Sequence, residues 1–252
     1  SENPSPDQIQ IMADLVEQAL DAGAYGLTTG LEYQPGIFSK KEELVAVAKP
    51  VGDRGLVVMS HMRSEDDDQL ADSINELVEQ CRAAGADAHI SHIKSVYGKG
   101  TERALEIIDL MKEARESGVN LTADIYPYTA SFTGISLLFP DYALPPNDYD
   151  QVVEDQRDEL YDYLDRRVIK RNGPEATLFG TGDDAGKTLA EVAEENQKPF
   201  AEVLIEKGPR GGSAAYFVMN EELQSQLLAA EGVNVCTDGS PTIRHPRGFG
   251  SF

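Results

Sequence analysis

The sequence predicts an α/β fold of serial strand-plus-helix units, and within that class part of a (β/α)8 (TIM) barrel. Three observations carry the prediction. Apolar strand-like runs and amphipathic helix-like runs alternate through the first 130 residues, with a repeat of about 30 residues, the length of a βαβ unit. Runs such as GLVVMSH, ending at His61, are β-branched and almost continuously apolar, the pattern of a strand covered on both faces. No Gly-x-Gly-x-x-Gly and no P-loop follows any of them. A doubly wound nucleotide-binding sheet therefore loses its support and the barrel is favoured.

The elements follow in order. PSPDQIQIMADLVEQALDAG opens with Pro6 and Asp7, repeats apolar residues at Ile9, Met12, Leu15, Val16 and Ala19, and closes at Gly23, which reads as a helix. AYGLTTG is a short strand, followed by a Gly/Pro loop and a helix from about Lys40. After GLVVMSH comes DQLADSINELVEQCRAAG, with Leu70, Ile74, Leu77 and Cys81 on one stripe. ADAHISH is the next strand, ERALEIIDLMKEARESG the next helix and NLTADIYPY the strand after it. The rhythm then breaks. Residues 135–232 hold a Pro-rich stretch, an acidic helix over about 151–170, two shorter helices, a strand at AAYFVM and a helix from Glu221. They are expected to form a mostly helical insertion, either a lid subdomain or a decorated crossover connection. Residues 1–134 are then barrel units, and VNVCTDG opens a last strand with its loop over 233–252. Five recognisable strands fall short of the eight in a closed barrel, and an open barrel would expose sheet edges. The chain is expected to be a piece of a longer protein.

Composition narrows the partners. The 22 Lys plus Arg against 44 Asp plus Glu give a net charge of -22. That field opposes nucleic acid and anionic membranes, so neither is expected as a partner. An anionic small molecule would need a local cluster of cations. No segment approaches the ~18 apolar residues of a membrane span. Two cysteines make no disulfide framework and favour a reducing, cytoplasmic setting.

The four histidines are unevenly placed. VVMSHMRSE and HISHIKS each put a histidine after an apolar run and a cation two residues later: His61 with Arg63, His92 with Lys94. Strand alternation predicts that Met59, His61 and Arg63 share one facing, and Ile90, His92 and Lys94 another such set. Each imidazole would then stand at a strand's C-terminal end, the active face of a barrel, with its cation ~6.6 Å further out. Asp124 and Asp238 end two further strands. Two imidazoles on adjacent strands suit a first-row metal, zinc above all. An aspartate facing it could be a third ligand, a general base toward water, or both, and cations outside it would hold a substrate carboxylate. Other residues read as structure: Asp124 as a partner of the neighbouring loop, His89 as facing the helix layer, His245 as a cap or an exposed loop residue, and Cys81 and Cys236 as packing. The acidic runs EDDD (65–68) and TGDDAG (181–186) read as solvated loops.

GAYGLTTGLEYQPG, SHMRSE, ISHIKS, DIYPYTAS, GKTLAEVAEEN and TDG followed by HPRGFGSF together resemble the N-acyl-D-amino-acid deacylases of the amidohydrolase superfamily, from about Asp21 onward. The resemblance implies a metal-bearing amidohydrolase barrel, here covering about strands 4–8 with an insertion between the last two. It also implies hydrolysis of N-acyl-D-amino acids with one or two zinc ions. By position it implies that His61 and His92 bind metal. Asp238 matches the aspartate that ligates metal, activates water and protonates the leaving amine. Lys94, Tyr126 and Arg247 match positions that hold the substrate's carboxylate, with Tyr33 in a loop near that pocket and Arg63 as the second rim cation. The family's first-strand His-x-His and a ligating cysteine have no counterpart in this sequence, so the chain alone is expected to bind metal poorly and be inactive. Phe132 stands where the family often has serine, which removes a hydrogen-bond donor. Hydantoinase-like and isoaspartyl dipeptidase-like enzymes use a fourth-strand lysine that YGLTTG lacks. A metal-free barrel fragment is the other alternative; it predicts that replacing His61 or His92 costs little beyond packing.

Overall fold

The computed structural model describes residues 3–240 and 245–249; the end of the HPRGFGSF motif lies outside them. The described chain forms two units, residues 3–127 with 220–237, and residues 128–219 with 238–240 and 245–249.

The first unit begins with α1 (Pro6–Asp21), β1 (Gly26–Gly30), α2 (Lys41–Gly52), β2 (Val57–His61), α3 (Leu70–Ala84), β3 (Asp87–Ile90), α4 (Gly100–Glu116) and β4 (Leu121–Ile125). Local chemistry sets the ends of these elements. Ser5 and Gln8 form a capping box, the Gln8 N–H donating to Ser5 Oγ and the Ser5 N–H to Gln8 Oε1, with Pro6 pre-set at the first helical position. Gly85 closes α3 with a positive φ of 77°, which glycine adopts without steric cost.

The second unit intervenes with β5 (Ala130–Gly134), α5 (Tyr149–Lys170), β6 (Thr177–Phe179), α6 (Leu189–Asn196), α7 (Phe200–Lys207) and β7 (Ser213–Phe217). The chain then returns to the first unit with α8 (Glu221–Leu228) and β8 (Val233–Val235).

In the first unit the strands make one sheet in the order β1-β2-β3-β4-β8, and every neighbouring pair is parallel. This is the predicted succession of βα units. The predicted burial of the strands on both faces is corrected: one face is dry and the other is polar. Val58, Ala88, Ile90, Leu121, Ala123 and Ile125 share a cluster with Leu70, Ile74, Leu77 and Cys81 of α3 and Ile107 and Met111 of α4. Each Val, Leu, Ile or Met side chain among them withdrawn from water contributes about 1.5–3 kcal/mol. The alternate residues Met59, His61, His89, Thr122 and Asp124 are only half-buried, and by strand alternation they share the opposite face. Register aligns Met59 with His89 and His89 with Thr122 across three strands. At the edge pair, a Cβ on Gly26 would stand 2.2 Å from the Val57 carbonyl oxygen, so only glycine allows β1 and β2 that approach.

The second unit pairs β5-β7-β6 as an antiparallel sheet, with α7 packed between α5 and α6. The observed insertion runs over 128–219 rather than the expected 135–232. Its start moves because the predicted NLTADIYPY strand stops at Ile125 and the chain enters a different sheet at Ala130. Its end moves because α8 packs on α4 and so continues the βα rhythm. The acidic, paired and bent helix α5, non-helical at Gln156, and the two shorter helices stand where the sequence predicts them.

Candidate metal centre

The C-terminal ends of β2 and β3 bring the two predicted histidines together. His61 is the last residue of β2. Its ring packs on Tyr33 at 4.8 Å between centroids and meets the His92 ring edge-on at 4.7 Å. His61 Nδ1 and His92 Nε2 face each other at 2.9 Å. The far nitrogen of each ring rests on a carboxylate: His61 Nε2 on Glu32 Oε2 at 2.8 Å, His92 Nδ1 on Glu65 Oε1 at 3.1 Å. A carboxylate behind an imidazole holds a proton on the near nitrogen and presents the other nitrogen's lone pair, the arrangement metal-ligating histidines use.

Glu65 is the residue sequence reading misses. Its expected place in a solvated acidic loop is wrong, because it is 8% exposed and accepts a 2.5 Å bond from Lys94 Nζ. Burial alone would raise the pKa of its carboxyl. The Lys94 charge, followed by the bond and charge of His92 and the charge of His61, reverses this and holds the group well below the usual carboxylate range. Asp67, in the same run, accepts from Ser95 Oγ and Arg103 Nε at 2.5 and 2.7 Å, so only part of EDDD is solvated. The signal available was Glu65 four residues after His61, masked by the run of acids around it. Glu32, in the loop that holds Tyr33, carried no signal beyond that neighbour.

The predicted strand parity also fails at β3. Ile90 points into the helix-side core, not with His92. The strand ends there, and His92 reaches His61 because its backbone turns to a positive φ of 40°. Lys94 follows that turn inward: it is 2% exposed, lies 2.8 Å from His92 Nδ1, and stands 5.5 Å above the ring of buried Tyr126. It is a neighbour of the imidazole rather than a rim cation two rises beyond it. Arg63 is placed elsewhere. Its guanidinium binds both Glu76 oxygens at 2.9–3.1 Å and the carbonyls of Ile37 and Ser39 at 2.7 and 2.9 Å, in an open cleft between α2 and α3 that contains neither histidine.

His89, expected in the helix layer, is instead on the polar face, within 2.7 Å of Thr122 Oγ1 and 3.1 Å of Asp124 Oδ2. Asp124 does bind the neighbouring loop, as expected, accepting the His92 N–H at 2.5 Å. Burial would raise its pKa, but bonds from His89, the His92 amide and Cys236 hold it below its ordinary value. Cys236 thus has a polar partner as well as packing. Cys81 is a core residue, and burial, helped by the charge of Asp87, pushes its thiol up to about 12.

Asp238 and Arg247 belong to the second unit. Asp238 has a φ of 46° and pairs with Arg247 Nη1 at 2.7 Å. Arg247 is buried and also donates to the Phe132 carbonyl at 2.9 Å. The Phe132 ring fills the space where a Cβ on Gly180 would lie, 2.3 Å away. His245 is a buried cap: its Nδ1 accepts the Arg247 N–H at 3.1 Å, and its Nε2–H donates to the Ala130 carbonyl at 3.1 Å.

Two facing imidazole nitrogens with a carboxylate within 4.8 Å match the nitrogen and oxygen donors zinc takes. Glu65 fits better behind His92 than beside the ion, because its Oε1 already serves both Lys94 and His92.

No family model matches the chain. It is 30% identical over 251 residues to N-acyl-D-glutamate deacylase of Alcaligenes xylosoxydans xylosoxydans, covering 99% of this chain and 45% of that protein. It is 29% identical over 248 residues to D-aminoacylase of the same organism, covering 98% and 45%. Among solved structures, N-acyl-D-glutamate deacylase from Bordetella bronchiseptica superposes with a TM-score of 0.77 at 26% identity, covering 98% of this chain and 46% of that one. That crystal contains zinc and a phosphonate inhibitor that mimics the reaction's tetrahedral intermediate. A crystal structure of D-aminoacylase gives a TM-score of 0.75 at 26% identity, with 98% and 46% covered. The chain spans a little under half the length of these relatives. In sequence and in fold, along almost all of its length, the chain is similar to N-acyl-D-glutamate deacylase and D-aminoacylase.

Proposed function

We propose that the chain supplies part of the active site of a zinc-dependent deacylase that hydrolyses the amide bond of N-acyl-D-amino acids, releasing a D-amino acid and a carboxylate. The observation that carries this is the pair of facing ring nitrogens of His61 and His92, each imidazole backed by a carboxylate, in a chain whose relatives are deacylases. His61 and His92 would hold the metal. Bound zinc supplies Lewis acidity toward an amide carbonyl and brings the pKa of water down to about 7.

The chain's own groups do the rest. The resemblance assigns Asp238 the part of proton carrier, which would take a proton from the attacking water and return it to the departing nitrogen as the C–N bond breaks. By the resemblance, Lys94, Tyr126 and Arg247 would each contribute to holding the substrate's carboxylate, Lys94 and Arg247 exchanging their present partners Glu65 and Asp238 for it, and Tyr33 packs against His61. Arg63 is committed to Glu76 and two carbonyls and is withdrawn from that wall.

The test is zinc content. The 252-residue chain and its His92→Ala variant are dialysed against dilute zinc and counted by elemental analysis, with circular dichroism to confirm folding. About one zinc in the parent and none in the variant supports a two-histidine site that this chain forms by itself. If a folded parent holds none, a longer protein restored to the relatives' length is measured with N-acetyl-D-amino acids. An empty, inactive longer protein overturns the proposal.

A further inference from the structure

The geometry points to Asp124 as the positioning residue for His92, with His89 and Thr122 as its support. The inference rests on the reading of His92 as a metal ligand and adds what holds it there.

His92 is not aimed by its strand. β3 ends at Ile90, and His92 has a φ of 40°, a left-handed region that a residue with a Cβ occupies only under strain. Such a conformation persists where its surroundings over-determine it. Here the compensating contact is to the residue's own backbone: the His92 N–H donates to Asp124 Oδ1 at 2.5 Å, and the Ile93 N–H to the Asp124 carbonyl at 2.7 Å. The Asp124 carboxylate is fixed in turn. His89 Nε2–H donates to Oδ2 at 3.1 Å, Thr122 Oγ1–H to His89 Nδ1 at 2.7 Å, and the Cys236 thiol also bonds to the carboxylate. Every donor in this chain has an acceptor, with His89 in a single tautomer. The three side chains stand on the polar face of adjacent strands β3 and β4, where alternation requires them. None of them touches the facing nitrogens of His61 and His92. Asp124 therefore acts through the His92 backbone, setting the ring so that Nε2 meets His61 Nδ1.

The test compares the parent chain with Asp124→Ala, Asp124→Asn and His89→Phe. Asparagine keeps an oxygen for the His92 N–H and turns its amide toward His89 Nε2, which the other His89 tautomer accepts; alanine keeps neither. Two readouts are taken. NMR on the metal-free chain should show a downfield His92 amide proton with the strong intraresidue amide–Hα NOE of a positive φ, retained in Asp124→Asn and lost in Asp124→Ala. Zinc affinity should fall tenfold or more in Asp124→Ala, the usual loss for an outer-shell partner, and recover in Asp124→Asn. Should Asp124→Ala fail to fold, His89→Phe decides, because freeing one carboxylate oxygen should weaken zinc and unchanged affinity would overturn the inference. A parent lacking the His92 signature, or an Asp124→Ala chain that keeps it with undiminished affinity, also overturns it. If the parent shows the signature but holds no zinc, the affinities are compared in the longer protein, where an empty, inactive site sinks the deacylase reading and leaves the backbone role of Asp124 standing.

Discussion

Replacing Glu65 by alanine should be among the most damaging single changes in the first unit. Glu65 and Lys94 are 8% and 2% exposed and joined at 2.5 Å. Removing one partner of a buried pair leaves the other charge without compensation and typically costs 3–5 kcal/mol. The remaining surroundings of Lys94 set the lower end of that range. His92 Nδ1 lies at 2.8 Å and, once Glu65 no longer holds its proton, accepts from the ammonium in the other tautomer, and the Tyr126 ring lies 5.5 Å away. A loss of about 3 kcal/mol is therefore expected, a large share of the roughly 5–15 kcal/mol that holds a typical protein folded. Urea unfolding at pH 7, followed by circular dichroism, measures it. Glu79→Ala, which breaks the solvent-exposed pair with Lys41, is the control and should leave the midpoint unmoved. Glu65→Ala with Lys94→Met removes both charges, so the double variant should be more stable than Glu65→Ala alone. A cost below about 1 kcal/mol for Glu65→Ala, or simple additivity in the double variant, would refute the claim of a coupled buried pair.

Two further outcomes follow from perturbed groups. With its thiol buried and pushed up to about 12, Cys81 should resist a disulfide reagent at pH 8 until the chain is unfolded; modification of Cys81 in the native protein would show that the helix-side core is not closed there. Burial, then the Arg247 charge, lowers the pKa of His245, so the unfolded chain takes up this proton first as pH falls through ~6.5 and stability drops. His245→Gln should show a smaller fall in melting temperature between pH 7.5 and 5.5 than the parent, and an equal fall would assign the acid sensitivity elsewhere.

The sequence made most of the fold legible and about half of the site. The βα alternation was readable because each helix carries one apolar stripe and each strand a β-branched run, local features that need no knowledge of partners. The strand burial was misread because periodicity in a five-residue strand does not separate two dry faces from one; Met59 in GLVVMSH is apolar yet lies on the polar face with His61. The insertion's boundaries were misread at Tyr126–Ala130, where a single β-rich run serves two different sheets. The facing of His61 was legible because it lies inside its strand, where alternation still holds.

His92, His89 and Glu65 show why the other half was hidden. Alternation is a property of a regular strand, and barrel-type sites are built where strands stop. One left-handed residue after Ile90 reverses every parity inference drawn through it, putting His92 at His61 and Lys94 beside it while His89, three residues earlier, keeps the polar face. Glu65 was hidden for another reason: its partner Lys94 is 29 residues away, and no local pattern distinguishes an acid that will meet a buried ammonium from the solvated acids around it. Yet the charges around the two imidazoles have a logic. Among the described residues, Glu32, Glu65 and Asp124 bring three carboxylates to His61, His92 and His89, against the one ammonium of Lys94. That leaves an excess of two negative charges around facing ring nitrogens, the complement of one divalent cation. In a chain with a net charge of -22 the general field says little about where a cation belongs. The placement of these three acids, each hydrogen-bonded to an imidazole on the polar face or at the strand ends, says where.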